Sequence, residues 1–145
     1  MLSTIEKVIL LRSVSLFSET PDDILAEVAA IADEQEADAG ETIISQGDLG
    51  TAMFVIASGE VRVHNGDVTL AVLGERDVFG ELAALDPEPR SASVTATRES
   101  LLLSVENEAL LDLISERLEV ARGIIRFLCR RVRAASAAVD SRGAR

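Results

Sequence analysis

Residues 79–94 read Phe-Gly-Glu-Leu-Ala-Ala-Leu-Asp-Pro-Glu-Pro-Arg-Ser-Ala-Ser-Val, placing a carboxylate, a guanidinium and three small residues within one short stretch. Gly80, Glu81 and Leu82 open an apolar run able to make one or two helical turns, which Pro87 and Pro89 then stop. The first turn of a helix leaves backbone N–H groups unpaired, and the aligned peptide dipoles favour negative charge there. Arg90 adds a planar, permanently charged fork suited to phosphate oxygens. Ser91, Ala92 and Ser93 are small enough to let a ligand reach the backbone, and a serine hydroxyl is a further donor. Glu81 would repel a phosphate, but an ionised carboxylate accepts hydrogen bonds from sugar hydroxyls. One carboxylate for a ribose and one arginine for a phosphate describe a nucleotide with a small phosphate.

Other chemistry has little to stand on. His64 is the only histidine, and no second ligand sits at metal spacing, so it reads as a strand residue facing solvent and no metal is expected. Cys129 falls on an apolar helical stripe and reads as core or interface; one cysteine cannot hold an iron–sulfur cluster. No G-x-S-x-G elbow surrounds any serine, and the chain reads as no enzyme. Gly47-Asp48-Leu49-Gly50 is a turn rather than a dinucleotide fingerprint, because no helix opens there.

The elements that must hold this stretch follow from periodicity. Ser3–Arg12 reads as a helix capped by Ser3 or Thr4, with Ile5, Val8 and Ile9 as its apolar stripe. Thr20-Pro21-Asp22-Asp23 supplies a cap, an N1 proline and dipole-favoured acids for a second helix to Ala32, with Ile24, Leu25, Val28 and Ile31 inward. Glu34–Asp38 is too polar for a core strand. Thr42–Ser45, Ala52–Ile56, Glu60–His64, Val68–Leu73, Ser93–Ala96 and Ser100–Val105 read as strands, with Asn65-Gly66 as the hairpin signal. Short strands at regular spacing with glycine turns imply a compact barrel or sandwich. Glu106 or Asn107 caps a short helix from Glu108 to Ser115, and a longer one runs from Leu118 to Ala138. In the latter, Val120, Ile124, Ile125, Leu128, Cys129 and Val132 form an apolar stripe and Arg122, Arg126, Arg130 and Arg133 a basic one; Asp140–Arg145 reads as frayed.

Composition narrows the class. Apolar residues at 48% exclude disorder, and 145 residues fit one domain. Four Phe with no Trp or Tyr argue against a base-stacking platform. Residues 1–116 carry 6 basic and 23 acidic side chains, whereas residues 117–145 carry 8 and 2. So acidic a body repels DNA and anionic membranes. The longest uncharged run, Leu49–Gly59, has eleven residues, well short of a membrane span. Without a leader pattern or a second cysteine, a cytoplasmic location is expected.

Phe79-Gly-Glu-Leu-Ala83 and, six residues on, Arg90-Ser-Ala-Ser-Val94 resemble the phosphate-binding cassette of cyclic nucleotide-binding domains without insertion or deletion. Gly40–Gly50 and Ile56–Val61 match the same family, and the likeness covers residues 10–136. The resemblance implies a mainly β fold: an eight-stranded antiparallel β-roll (33–105) between N-terminal helices (1–32) and C-terminal helices (106–138), with a tail at 139–145. It implies that Glu81 takes the ribose 2′-hydroxyl, and Arg90, Ser91, Ala92 and the Gly80–Leu82 amides the cyclic phosphate. Val63, Leu73 and Leu82 would wall the base or ribose. Of the two positions that touch adenine in bacterial members, Ala135 lacks a hydroxyl and Ser136 has one. Cyclic AMP is the expected ligand, with cyclic GMP left open by Ser91. The long helix would fold over the base, and in dimeric members it forms the subunit contact, so a homodimer and an effector outside this chain are implied. No direct nucleic-acid contact and no membrane insertion are expected. The alternative is a ligand-free docking module of a larger transporter, channel or regulator. Glu75-Arg76 stands where members often have a glycine before the aspartate.

Overall fold

The computed structural model describes the backbone of residues 1–143 and side-chain environments as far as Asp140. Helix α1 (Thr4–Arg12) leads through a 3-10 turn (Ser15–Phe17) to α2 (Asp22–Ile31). Ten strands follow among the described residues: β1 (Asp33–Ala37), β2 (Thr42–Ile44), β3 (Leu49–Gly50), β4 (Ala52–Ser58) and β5 (Val61–Asn65), then β6 (Val68–Leu73), β7 (Val78–Phe79), β8 (Glu88–Pro89), β9 (Ser93–Ala96) and β10 (Ser100–Glu106). Helices α3 (Asn107–Glu116) and α4 (Leu118–Gly143) close the chain. Two four-stranded sheets, ordered β1-β10-β4-β7 and β2-β9-β5-β6, make the eight-stranded roll, and β3-β8 is a small separate ladder. Every pairing is antiparallel.

Strand periodicity builds two cores. On β4, Met53 and Val55 face the helices, while Ala52, Phe54 and Ile56 face the second sheet. On β10, Leu103 and Val105 go one way and Leu102 the other. Alternate side chains of a strand point to opposite faces, so both strands are buried on both sides. The helical core adds Leu11, Phe17, Leu25, Leu110, Ile124 and Phe127. Each such large side chain removed from water contributes about 1.5–3 kcal/mol. Phe54 and Phe79 stack inside the roll with centroids 5.0 Å apart.

Several local expectations need correction. Ser3 caps α1 in a reciprocal capping box with Glu6, yet Ile5 is 73% and Ile9 41% exposed while Leu10 and Leu11 are buried. The chain turns inward after Arg12, so the C-terminal end of α1, not its middle, is anchored. In α2 the N-cap is Pro21, not Thr20. Thr20 is buried against α4, where a Cβ on Gly123 would lie 2.7 Å from its hydroxyl oxygen. Glu34–Ala37 does pair, as part of the edge strand β1, in which only Ala37 is buried. The hairpin turns on Gly66-Asp67, because Asn65 still pairs with Val68 and a register shift sits at Val63/His64. Gly66 adopts φ +55°, the conformation such a turn needs. Neither Glu106 nor Asn107 caps α3 with its side chain: Glu106 makes no cap bond, and the Asn107 amide instead donates to Ala84 O at 2.8 Å.

Helix α4 carries two apolar rows rather than one. Val120, Ile124 and Phe127 are buried; Ile125, Leu128, Cys129 and Val132 are exposed, so Cys129 is not core. All described side chains from Leu128 onward are exposed. Helix replaces the expected fraying as far as Gly143; residues 144 and 145 lie outside the described residues. Among the described residues no helix is long and apolar enough to cross a membrane.

Arg76 sits at φ +72°, the one described non-glycine residue in the left-handed region. Its amide donates to Ile56 O at 2.7 Å, which fixes the turn before β7 in that shape. A left-handed conformation costs an ordinary residue about 1–2 kcal/mol, against about 0.5–1 kcal/mol of extra chain entropy for glycine. Arg76→Gly is therefore expected to stabilise the fold by about 0.5–1 kcal/mol, read as a higher midpoint in urea denaturation.

Candidate functional site

Strand β7 delivers the chain to Gly80, whose φ of +69° turns it sharply into a 3-10 helix over Glu81–Ala84. The turn's own bonds run from Ala83 N to Gly80 O and from Leu85 N and Asp86 N to Leu82 O. They use carbonyls of Gly80 and Leu82 and leave the Gly80, Glu81 and Leu82 amides out. Asn107 closes the far end of the turn on the Ala84 and Leu85 carbonyls. The stacked Phe54–Phe79 pair backs the turn from inside the roll.

Arg90 arrives from the other side. Its amide donates to Asp48 O at 2.8 Å, Gly47 N donates to Arg90 O at 2.9 Å, and Gln46 N donates to Ser93 Oγ at 3.0 Å. Ser93 is thus occupied in holding the β2–β3 loop. The guanidinium is half-buried and its Nη2 donates to Ala52 O at 2.7 Å. Burial lowers its affinity for the proton, while the nearby Glu106 carboxylate acts in the opposite sense. An arginine nonetheless keeps its charge at neutral pH.

Two adjoining hollows share Gly80, Arg90 and Ser91. One, about 140 Å³, has Val63, Ile44, Phe79 and Val94 as apolar wall together with Ala92. The other, about 180 Å³, takes in Glu81, Leu82, Asp86 and Glu88. A third, about 210 Å³, lies where Arg90 meets Asp48 and Glu106. A larger hollow of about 300 Å³ on α4 is walled by Ile125, Leu128, Cys129 and Val132 with Arg133 as its one charged residue, so it offers little to a polar ligand. A fixed cation, free amides and an apolar wall in one place suit a small anionic ligand with an apolar part.

Of the residues singled out from sequence, Gly80, Glu81, Leu82, Arg90, Ser91, Ala92 and Val63 line these adjoining hollows. Leu82 is 59% exposed at the rim. Leu73 lines neither: it pairs with Val61 and packs at the edge of the roll core. Ser136 lines neither, since it lies on the exposed outer length of α4. Sequence reasoning missed Ala52 and Gly50, which face Arg90 from strands about 40 positions earlier, and Phe79, Ile44 and Val94, which look like ordinary core. Among the described residues no group of three metal-ligating side chains occurs.

A cation and the backbone amides of a left-handed turn thus meet at one place on an antiparallel roll. The family described as cyclic nucleotide-binding domain matches residues 34–117. The cyclic AMP receptor protein of Thermus thermophilus is 42% identical over 106 residues, 70% of this chain and 49% of that protein. The N-terminal domain of a transcriptional regulator from Streptomyces coelicolor superposes with TM-score 0.82 at 34% identity, covering 90% of this chain and 94% of that one. The regulatory domain of Toxoplasma gondii protein kinase A, solved with cyclic AMP, gives TM-score 0.69 at 27% identity, over 76% and 44% of the two chains. The chain belongs to the cyclic nucleotide-binding domain family. It spans about half the length of the Thermus relative.

Glu81 is partly buried, and burial raises its pKa above the ordinary 4.5, against a backbone hydrogen bond at Leu16 and the charge of Arg131, which lower it. Between 4.5 and the raised value the folded chain holds a proton that the unfolded chain has lost, so stability falls as pH rises through that window. Glu81→Gln is expected to be more stable than the parent at pH 7, with the difference vanishing below about pH 4, in denaturant melts across that range.

Proposed function

We propose that this chain is a regulatory domain that captures a cyclic nucleotide, cyclic AMP by preference, and signals its occupancy through α4. The observation that carries the reading is Arg90: a half-buried cation fixed on one backbone carbonyl, opening onto a hollow bounded by Gly80 and Ser91. The cyclic phosphate, a monoanion, is bound there by Arg90, the Gly80–Leu82 amides, Ser91 and the Ala92 backbone. Glu81 accepts from the ribose hydroxyl, and Val63 and Leu82 contact the sugar or base. The reading is supported by the cyclic AMP named for the Thermus and Toxoplasma relatives. Cyclic GMP is the competitor to measure, since sugar and phosphate contacts do not distinguish purines.

Helix α4 is suited to the relay. Its first half is pinned to the body by Phe127 and by the Arg130–Glu19 ion pair at 2.9 Å, and its outer half is exposed. Closure brings Ser136 to the base, a population shift driven by contacts made only in the closed state. Residues 1–145 act as one binding domain, neither an enzyme nor a direct nucleic-acid or membrane binder, working in the cytoplasm on an effector outside these residues. The exposed row Ile125, Leu128, Cys129 and Val132 fits a second copy of α4, giving a homodimer.

Isothermal calorimetry with cyclic AMP and cyclic GMP tests the ligand. Arg90→Ala is expected to cost about 2–5 kcal/mol, roughly thirtyfold or more in Kd, because a buried charge loses its partner. Equal binding by parent and variant refutes the assignment, and no binding by the parent leaves only the docking-module reading. Val132→Glu is expected to turn a dimeric parent into a monomer in analytical ultracentrifugation.

A further inference from the structure

The hydrogen bonds around Arg90 explain where its backbone lies, but not why its side chain takes the course it does. The β3–β8 ladder pairs Leu49 with Pro89 and Gly50 with Glu88, which lays β3 directly against the Arg90 side chain. A Cβ on Gly50 would stand 2.4 Å from Arg90 Nε, 2.6 Å from Cζ and 2.7 Å from Cδ. These atoms run from Cδ into the planar guanidinium, so the overlap is relieved by moving the guanidinium as a whole. Ordinary contact needs about 3.5–4 Å. To admit one methyl group, the guanidinium must leave Ala52 O, where it now sits at 2.7 Å. Gly80 also crowds Arg90, with a Cβ there 2.5 Å from Nη1, but its left-handed φ makes any substitution strain the backbone as well. Gly50 has no such φ, and the three atoms nearest to a Cβ there all belong to Arg90.

We infer that Gly50 is a positioning residue for anion capture: its bare backbone is the floor that fixes the Arg90 guanidinium on Ala52 O, facing the hollow beside Gly80. The consequence for affinity rests on the cyclic nucleotide reading above; the placement of Arg90 by Gly50 does not.

The test uses Gly50→Ala, Arg90→Ala and the double variant, each in the full chain. In calorimetry, Gly50→Ala is expected to weaken cyclic AMP binding about tenfold or more, and to add nothing in the Arg90→Ala background. The Arg90 Nε–H resonance, assigned by its loss in Arg90→Ala, is expected to shift in Gly50→Ala without nucleotide. The single variant is expected to melt lower than the parent, and the double variant to regain the stability of Arg90→Ala. A single variant that fails to fold while the double folds supports the same clash. Parent-like affinity and an unmoved resonance in Gly50→Ala, equal affinity losses in both backgrounds, or loss of folding in both variants overturns the proposal. A parent that takes up no cyclic AMP sinks the nucleotide reading alone, because the resonance and the melting comparison still decide the role of Gly50.

Discussion

The fold converges on one under-coordinated charge. Arg90 is half-buried, yet among the described residues Ala52 O is the one protein acceptor its side chain meets. Taking a guanidinium part-way out of water is costly unless its donors are met, and five donors on a planar fork are more than one carbonyl can satisfy. Glu106 supplies a countercharge in the same hollow but also accepts from the Thr51 hydroxyl at 3.1 Å. In this arrangement Arg90 lines all three adjoining hollows. The arrangement holds only because β3, β4 and the turn after β7 are fixed independently: β4 by burial on both faces, the turn by Asn107 and the stacked phenylalanines, and β3 by its bonds to residues 88–90.

The chemistry of the site was legible because it is local. Glu81 and Arg90 lie nine positions apart, and the residue types alone state what each can hold. What was not legible is tertiary. Ala52 contributes only a carbonyl, and it reaches Arg90 across 38 positions of sequence. Gly50 reads as part of a glycine turn until the atoms that would strike its missing side chain are known. Ser93 looked like a small neighbour of a ligand, yet it serves as acceptor for the Gln46 amide.

Strand spacing and glycine turns implied a compact barrel or sandwich, and the family resemblance narrowed that to the roll, while helix faces were harder to read. In α1, Ile5, Val8, Ile9, Leu10 and Leu11 surround the axis, so the pattern has no strong direction and the fold-back at Ser13–Phe17 decides what is buried. In α4 a broad apolar band was read as one stripe. Its buried contact with the body is made by Val120, Ile124 and Phe127, because Thr20 and Gly123 set the helix down there and Arg117 bridges Glu119 in its first turn to Glu27 on α2. Arg76, close to where the resemblance leads one to expect a glycine, holds φ +72°, a left-handed shape that glycine adopts more readily.

The length of α4 gives its anchorage a mechanical meaning. From the close contact at Gly123 to Gly143 the helix continues for 20 residues, roughly 30 Å at about 1.5 Å per residue. A pivot of about 10° at that fulcrum would sweep the distal end through about 5 Å. The leverage is geometric and needs no unfolding. It would fall on the outer length of the rod, where Val132 and Val139 lie bare, and hardly at all on Ile125, two residues from the fulcrum.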